Sequence, residues 1–170
     1  GTLIIAVVFV NVFAQSTSKK SNKVYQKSDV DYRAFSELTE EAEEHRNTHM
    51  VSLEEFKKFA TEKGTMILDT RSKAAYDKKH IKGAVHLNFS DFTQGKLAKV
   101  IPTLNTKVLI YCNNNIDKDE MYFARKSTPL ALNIPTFINL YGYGYKNVYE
   151  LDALVQTTSL EFEGMAVVKK

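Results

Sequence analysis

The run Val108, Leu109, Ile110, Tyr111 constrains this chain more than any other stretch. Four consecutive apolar residues, with Asn105 and Thr106 turning into them and a polar loop behind, read as a strand covered on both faces, the strand type of a parallel sheet wrapped by helices. It ends at Cys112, the only cysteine among 170 residues. The loop Asn113, Asn114, Asn115, Ile116, Asp117, Lys118 follows, and Met121, Tyr122, Phe123 and Ala124 then predict the start of a helix. In a strand, loop, helix arrangement the N–H groups opening the helix face the loop, where they stabilise an anion or a thiolate. The three asparagines suit such a cradle, because asparagine tolerates the left-handed conformations that aim successive N–H groups at one centre. The carboxyl ends of strands are also where open α/β sheets bind ligands. The plain alternative is a small hydrophobe closing a core strand.

The remaining pattern alternates strands and helices. Phe35, Leu38 and Ala42 recur at helical spacing among Glu37, Glu40, Glu41, Glu43 and Glu44, predicting an amphipathic helix over 31–46. Met50 and Val51 read as an edge strand, and Ser52 with Glu55 forms a capping box opening a helix to about Glu62. Met66, Ile67 and Leu68 form a strand that delivers Asp69, Thr70 and Arg71 at its end. Ser72 caps a brief helix through Tyr76 to Lys79, Gly83 breaks it, and 84–87 return to the sheet. A helix is expected near 91–99, a last strand at 135–140, and a short closing helix at 149–155. The fold class is α/β, with a small, mostly parallel central sheet flanked by helices. We expect one domain over 31–160 with an N-terminal helical extension, a linker at 15–30 and a tail at 161–170.

Residues 2–14 are nearly all apolar and uncharged, with Val12 and Ala14 spaced as a cleavage site requires. The segment 1–14 therefore reads as signal-peptide-like, implying export to a periplasmic or extracellular space and no stable membrane anchor after cleavage. One cysteine leaves no disulfide within these 170 residues, so an exported chain either buries the thiol or uses it. A net charge of +3 with both signs interspersed argues against a nucleic-acid partner. His45 and His49 lie four apart, but no carboxylate or cysteine completes a metal site there.

Asp69, Thr70, Arg71, then Tyr76, then His80, Ile81, Lys82, Gly83, Ala84 resembles the rhodanese signature, a strand-ending D-x-R followed by an aromatic residue and H-I-x-G-A. The strand ending at Cys112 is similar to that family's active-site strand and nucleophile. The resemblance covers roughly 50–154 and implies a small parallel sheet wrapped by helices. It also implies a sulfurtransferase in which Cys112 carries sulfane sulfur as a persulfide, with no metal or organic cofactor, the N–H groups of residues 113–118 serving as its cradle. The implied partners are a small sulfur donor and a thiol or other nucleophilic acceptor. Asp69, Arg71 and His80 match signature positions of structural role, pinning the strand before them to the turn at Gly83, with Arg125 as a further supporting cation.

The loop departs from the family pattern at Asp117, where many catalytic rhodaneses have an arginine. A carboxylate about 6 Å from a bound dianion costs roughly 5 kcal/mol at an effective dielectric near 20, so neutral or singly charged persulfide donors suit this loop better than thiosulfate, unless Lys118 or Arg125 turns inward. In rhodanese-fold phosphatases an arginine stands six residues past the cysteine; Lys118 there lacks the planar fork that grips phosphate oxygens. The other alternative is a non-catalytic binding module. Tyr141, Tyr143, Tyr145 and Tyr149 either form an exposed rim for a protein partner or cover the end of the sheet. Asp119 reads as the cap of the helix after the loop.

Overall fold

A computed structural model describes residues 25–167. The chain divides into two units, Gly1–Val30 and Asp31–Lys170. Of the first, residues 25–30 are described, and they carry no helix or strand. The signal-like segment lies outside the described residues. Among the described residues no helix is long and apolar enough to cross a membrane.

The second unit opens with α1 (Tyr32–Arg46), whose start is fixed by the Asp31 carboxylate accepting from the Ala34 N–H. After β1 (Met50–Val51) comes α2 (Leu53–Ala60), with the expected reciprocal cap: Glu55 N–H donates to Ser52 Oγ at 3.3 Å, and Ser52 N–H to Glu55 Oε2 at 2.9 Å. Next are β2 (Met66–Asp69), α3 (Lys73–Lys78) capped by Ser72, β3 (His80–Ile81), β4 (Val85–His86), α4 (Gln94–Val100), β5 (Val108–Tyr111), β6 (Ile116–Asp117), α5 (Asn133–Gly142), β7 (Val148–Leu151), β8 (Val155–Gln156) and β9 (Phe162–Glu163).

Five strands form a parallel sheet in the order β1-β7-β5-β2-β4. The central strand β5 is buried along its whole length because it serves two cores. Val108 and Ile110 pack with Leu97, Phe137 and Leu140 under α4 and α5, while Leu109 and Tyr111 pack with Phe56, Ile81 and Phe123 on the opposite face. That two-sided burial is why β5 shows no polar alternation. Two small pairings lie outside the main sheet: β3 with β9 antiparallel, and β6 with β8 parallel.

Three expectations are corrected. The segment 135–140 is not a strand but the body of α5. Pro135 sits in the first turn, where its missing N–H is no loss, and Thr136, Phe137, Ile138 and Leu140 are all buried, so no polar face marks the helical period. α5 ends in a left-handed Gly144 (φ +91°), with the Tyr145 N–H donating back to the Leu140 carbonyl at 2.9 Å. The segment 149–155 is not a closing helix: β7 extends through Leu151, because the edge strand β1 needs a partner between itself and β5. The residues from Met121 onward do not begin a helix either. Residues 118–132 run as turns with one short 3₁₀ piece, Thr128–Leu130, and the next helix is α5.

The tyrosines near the end of α5 are packed rather than fully presented. Tyr145 is buried, and Tyr141 and Tyr143 are half-buried against the α5 core. Tyr149 is half-buried on the other face. His45 and His49 stack on each other, with His45 Nε2 on the Lys146 carbonyl and His49 Nδ1 on the His45 carbonyl, which ties the end of α1 to the loop after α5.

Candidate functional site

Cys112 stands immediately after β5, at the carboxyl edge of the sheet, and is 1% exposed. Three backbone N–H groups lie close enough to the sulfur to favour its thiolate. One, from Asn114, belongs to the loop; the other two, from Leu132 and Asn133, open α5. The helix N-terminus near the thiol is that of α5, which begins at Asn133, and not of a helix directly after the loop. Burial pushes the thiol above its ordinary value; the N–H groups of Asn133, Asn114 and Leu132 pull it back, and the nearby charge of Glu150 adds to the upward push. Burial wins, so the resting group is a thiol.

The cradle expected from residues 113–118 is corrected in its membership. The Asn115 N–H donates to the Cys112 carbonyl at 3.1 Å, and the Ile116 N–H goes to the Asn113 carbonyl, so both close the short helical turn Asn113–Asn115. Ile116 and Asp117 then leave as β6, paired with Val155 and Gln156. Lys118 takes the left-handed conformation (φ +56°) where the chain turns away, and its side chain is exposed.

The three asparagines act through their side chains. Asn115, buried, sits at the centre: its Oδ1 accepts from the Cys112 N–H at 2.9 Å and from Asn133 Nδ2 at 3.0 Å. Its Nδ2 donates to the Leu151 and Ala153 carbonyls. One amide therefore joins the loop, α5 and the chain after β7. Asn113 Nδ2 donates to the Ala124 carbonyl at 2.7 Å, while Asn114 exchanges two hydrogen bonds with the Lys126 backbone at 2.8 and 3.0 Å. These bonds staple the long segment 118–132 onto the cysteine loop.

The candidate cations are engaged elsewhere. Arg125, exposed, pairs with Glu120 at 3.2 Å, and Lys79 pairs with Asp119 at 2.7 Å. Asp119 does not open a regular helix, although its backbone carbonyl closes a turn with Tyr122 and Phe123.

Asp69 and Arg71 lie buried behind the cysteine loop. Arg71 donates to Asp69 from Nε (3.0 Å) and Nη2 (2.6 Å), and its remaining donors reach the Lys79 and Tyr122 carbonyls. Tyr111, the last residue of β5, donates its hydroxyl to Asp69 Oδ2 and accepts from the Ile81 N–H. The pair thus anchors the carboxyl ends of β2 and β5 to β3 and to the segment carrying Tyr122. Burial opposes the Arg71 charge, and the Asp69 pair more than restores it. Burial and Asp69 also hold the Tyr111 phenol well above its ordinary range, so it stays a neutral donor.

His80 takes a different carboxylate: its ring stacks on Tyr76 at 3.7 Å, with Nδ1 on the Tyr76 carbonyl and Nε2 3.3 Å from Glu163. Glu163 also accepts from the Gly83 N–H, which fixes the turn. Glu150, Asn133 and Leu132 escaped sequence reasoning. Their only local hint is that an asparagine precedes Ile-Pro, a cap-like residue ahead of an early-helix proline.

The parallel sheet flanked by helices, with the single thiol at its carboxyl edge, defines an α/β domain of one sheet. A family model of the Rhodanese-like domain matches residues 52–153, and the chain belongs to that family. Solved structures with a similar fold include the rhodanese-like domain of a protein from Anabaena sp. (18% identity, 69% of this chain and 80% of that one, TM-score 0.48). The BH2092 protein from Bacillus halodurans (15% identity, 75% and 87% covered, TM-score 0.48) is another. A rhodanese with anions from E. coli also matches (17% identity, 59% and 98% covered, TM-score 0.39). No curated protein matches the sequence.

Proposed function

We propose that Cys112 carries sulfane sulfur as a persulfide between a small donor and a thiol acceptor. The observation that carries this reading is the place of the only thiol in the chain, at the carboxyl end of the central parallel strand, where N–H groups from two separate chain segments favour its thiolate. Packing a small hydrophobe requires no such donors. In the proposed cycle the Cys112 thiol loses its proton to solvent, and the thiolate attacks the outer sulfur of a donor persulfide. The donor S–S bond breaks, its inner sulfur leaves as a thiolate, and Cys112 retains the outer sulfur. An acceptor thiolate then attacks that sulfur and regenerates the Cys112 thiolate.

Charge narrows the donor. Glu150 already acts against negative charge at the sulfur, Asp117 stands in the loop, and Arg125 and Lys79 are neutralised by carboxylates, so a neutral or singly charged persulfide fits better than a dianion. Because Cys112 is 1% exposed, the donor must be small and loading must follow a local opening of the stapled segment. The direct test is the mass of the intact protein after exposure to a small organic persulfide. The expected result is a gain of about 32 Da on the wild type and none on Cys112→Ser. Equal gain on both would discard the reading.

The loading rate carries a second expectation. With the thiol held above its ordinary value, the thiolate fraction stays small at neutral pH. Loading should rise close to tenfold per pH unit and keep rising past about pH 8.5, where an unperturbed cysteine levels off. A plateau already reached near neutrality would mean that the N–H groups outweigh burial.

The near-complete burial of Cys112 also favours a second reading, a rhodanese-like module that binds a partner without turnover. An unloaded wild-type protein with every donor tried, at every pH up to 10, would select it.

A further inference from the structure

The helix α1 lies before the span matched by the family, yet it reaches the cysteine site. From its last turn Arg46 donates Nε to Glu150 Oε2 at 2.5 Å and Nη2 to Glu150 Oε1 at 2.8 Å. Glu150 lies in β7 with its side chain 8% exposed, whereas Arg46 is 29% exposed, so the carboxylate depends on this one guanidinium for its countercharge. Glu150 Oε1 also accepts from Asn133 Nδ2 at 3.3 Å; the same Nδ2 donates to Asn115 Oδ1, which holds the Cys112 N–H. Asn133 has one workable orientation, since turning the amide over would set its oxygen against two acceptors. Its own Oδ1, buried and without a partner, shows that orientation is held even with one acceptor unused.

We propose that Arg46 is a positioning residue for Cys112: it neutralises Glu150 and so holds the Glu150–Asn133–Asn115 chain of hydrogen bonds that ends on the cysteine. Without it, a bare carboxylate inside β7 acts on the thiol, and Glu150 loses the two-point grip that orients it as the acceptor for Asn133. The surrounding charges leave this role to Arg46. Glu43 on α1 and Asp152 beyond β7 bear on the guanidinium with the same sign as Glu150. On the sulfur side, Asn115 and Asn133 are neutral, Asp117 is half-buried and acidic, and Lys118 is exposed. The N-terminal helix therefore completes a site that the matched span alone leaves with an unbalanced charge.

The inference takes its biological meaning from the sulfur-carrier reading, but thiol reactivity tests it separately. The experiment is the rate of Cys112 alkylation by iodoacetamide from pH 7 to 10 on the whole protein. For Arg46→Met, alkylation at a given pH should fall on the order of tenfold, with the profile displaced to higher pH. Adding Glu150→Gln to that variant removes the stranded charge and should return the rate to within about threefold of wild type. Should Arg46→Met fail to fold, Arg46→Lys serves instead: it keeps the charge but loses the two-point grip, and alkylation should slow by about two- to threefold. A wild-type profile in the single variant that folds, or a double variant no faster than Arg46→Met, overturns the proposal. The expected shifts in alkylation, with no sulfur loading by any donor, would sink the carrier reading and leave this one standing.

Discussion

Replacing Asp69 by alanine is expected to lower the unfolding free energy by about 3–5 kcal/mol, the cost of stranding one member of a buried ion pair. Arg71 is 3% exposed, and its guanidinium lies 4.4 Å over the Phe123 ring with aromatic and aliphatic neighbours all round. Without Asp69 it retains hydrogen bonds to the Lys79 and Tyr122 carbonyls but has no anion, and the Tyr111 hydroxyl loses its acceptor. Urea denaturation measures the loss as a fall in midpoint at nearly constant slope. Replacing both charges, Asp69→Leu with Arg71→Met, should recover part of it, because no charge is then left buried alone. A single variant within about 1 kcal/mol of wild type would mean that water reaches the guanidinium.

That network explains why the signature residues were legible and what they do. Asp69, Arg71 and Tyr111 hold the carboxyl ends of two adjacent strands level, and the cysteine loop departs from the second of them. A loop that must aim N–H groups at one atom needs a fixed root. The position of Cys112 is therefore fixed from the residue before it, Tyr111, through Asp69 and Arg71.

The elements read correctly from sequence are those in which local preference and burial agree. The strand β5 is apolar on both faces and both faces are covered; α2 has its capping box; α1 has a polar face that stays exposed. The misread elements are those decided by packing. Ile134, Phe137 and Ile138 favour a strand locally, but the segment is long enough for three helical turns, and it fills the layer between α1 and the sheet. Tyr149 and Glu150 carry no strong strand signal by themselves, and Glu150 is tolerable inside β7 only because Arg46 meets it from an element 104 residues away in sequence. No local pattern encodes such a partner.

For the site, the position of Cys112 was legible and its environment was not. Sequence reading placed the helix N-terminus directly after the loop, with residues 113–118 as the cradle. Instead, the segment 118–132 runs without a regular helix, so the N–H groups near the thiol from a helix start are those of Leu132 and Asn133. The Asn-Asn-Asn run was read as backbone geometry, whereas its side chains do the positioning. Hydrogen bonds from Asn113 and Asn114 tie that segment to the cysteine loop, and burial of the thiol is what keeps it protonated.

Asn115→Ala is expected to separate cover from cradle. The side chain makes four hydrogen bonds, to the Cys112 N–H, Asn133 Nδ2 and the Leu151 and Ala153 carbonyls, and it is 7% exposed. Removing it leaves those buried groups unsatisfied at about 1–3 kcal/mol each, partly offset by water entering the gap, so a total loss near 2–4 kcal/mol is expected. The domain should still fold, with the loop opening more often. Alkylation of Cys112 by a neutral reagent should then accelerate on the order of tenfold in the absence of denaturant, because the rate scales with the open fraction of the loop as well as with the thiolate fraction. Asn115→Asp should do the opposite to the thiol. It keeps the acceptor toward Cys112 but loses both donors to the carbonyls after β7, and it sets a second carboxylate beside Glu150, disfavouring the thiolate. Two variants of one residue moving alkylation in opposite directions would separate steric cover from charge. If both slowed it alike, the loop would be a cradle that must stay closed to react, and the opening invoked for loading would lie elsewhere in the domain.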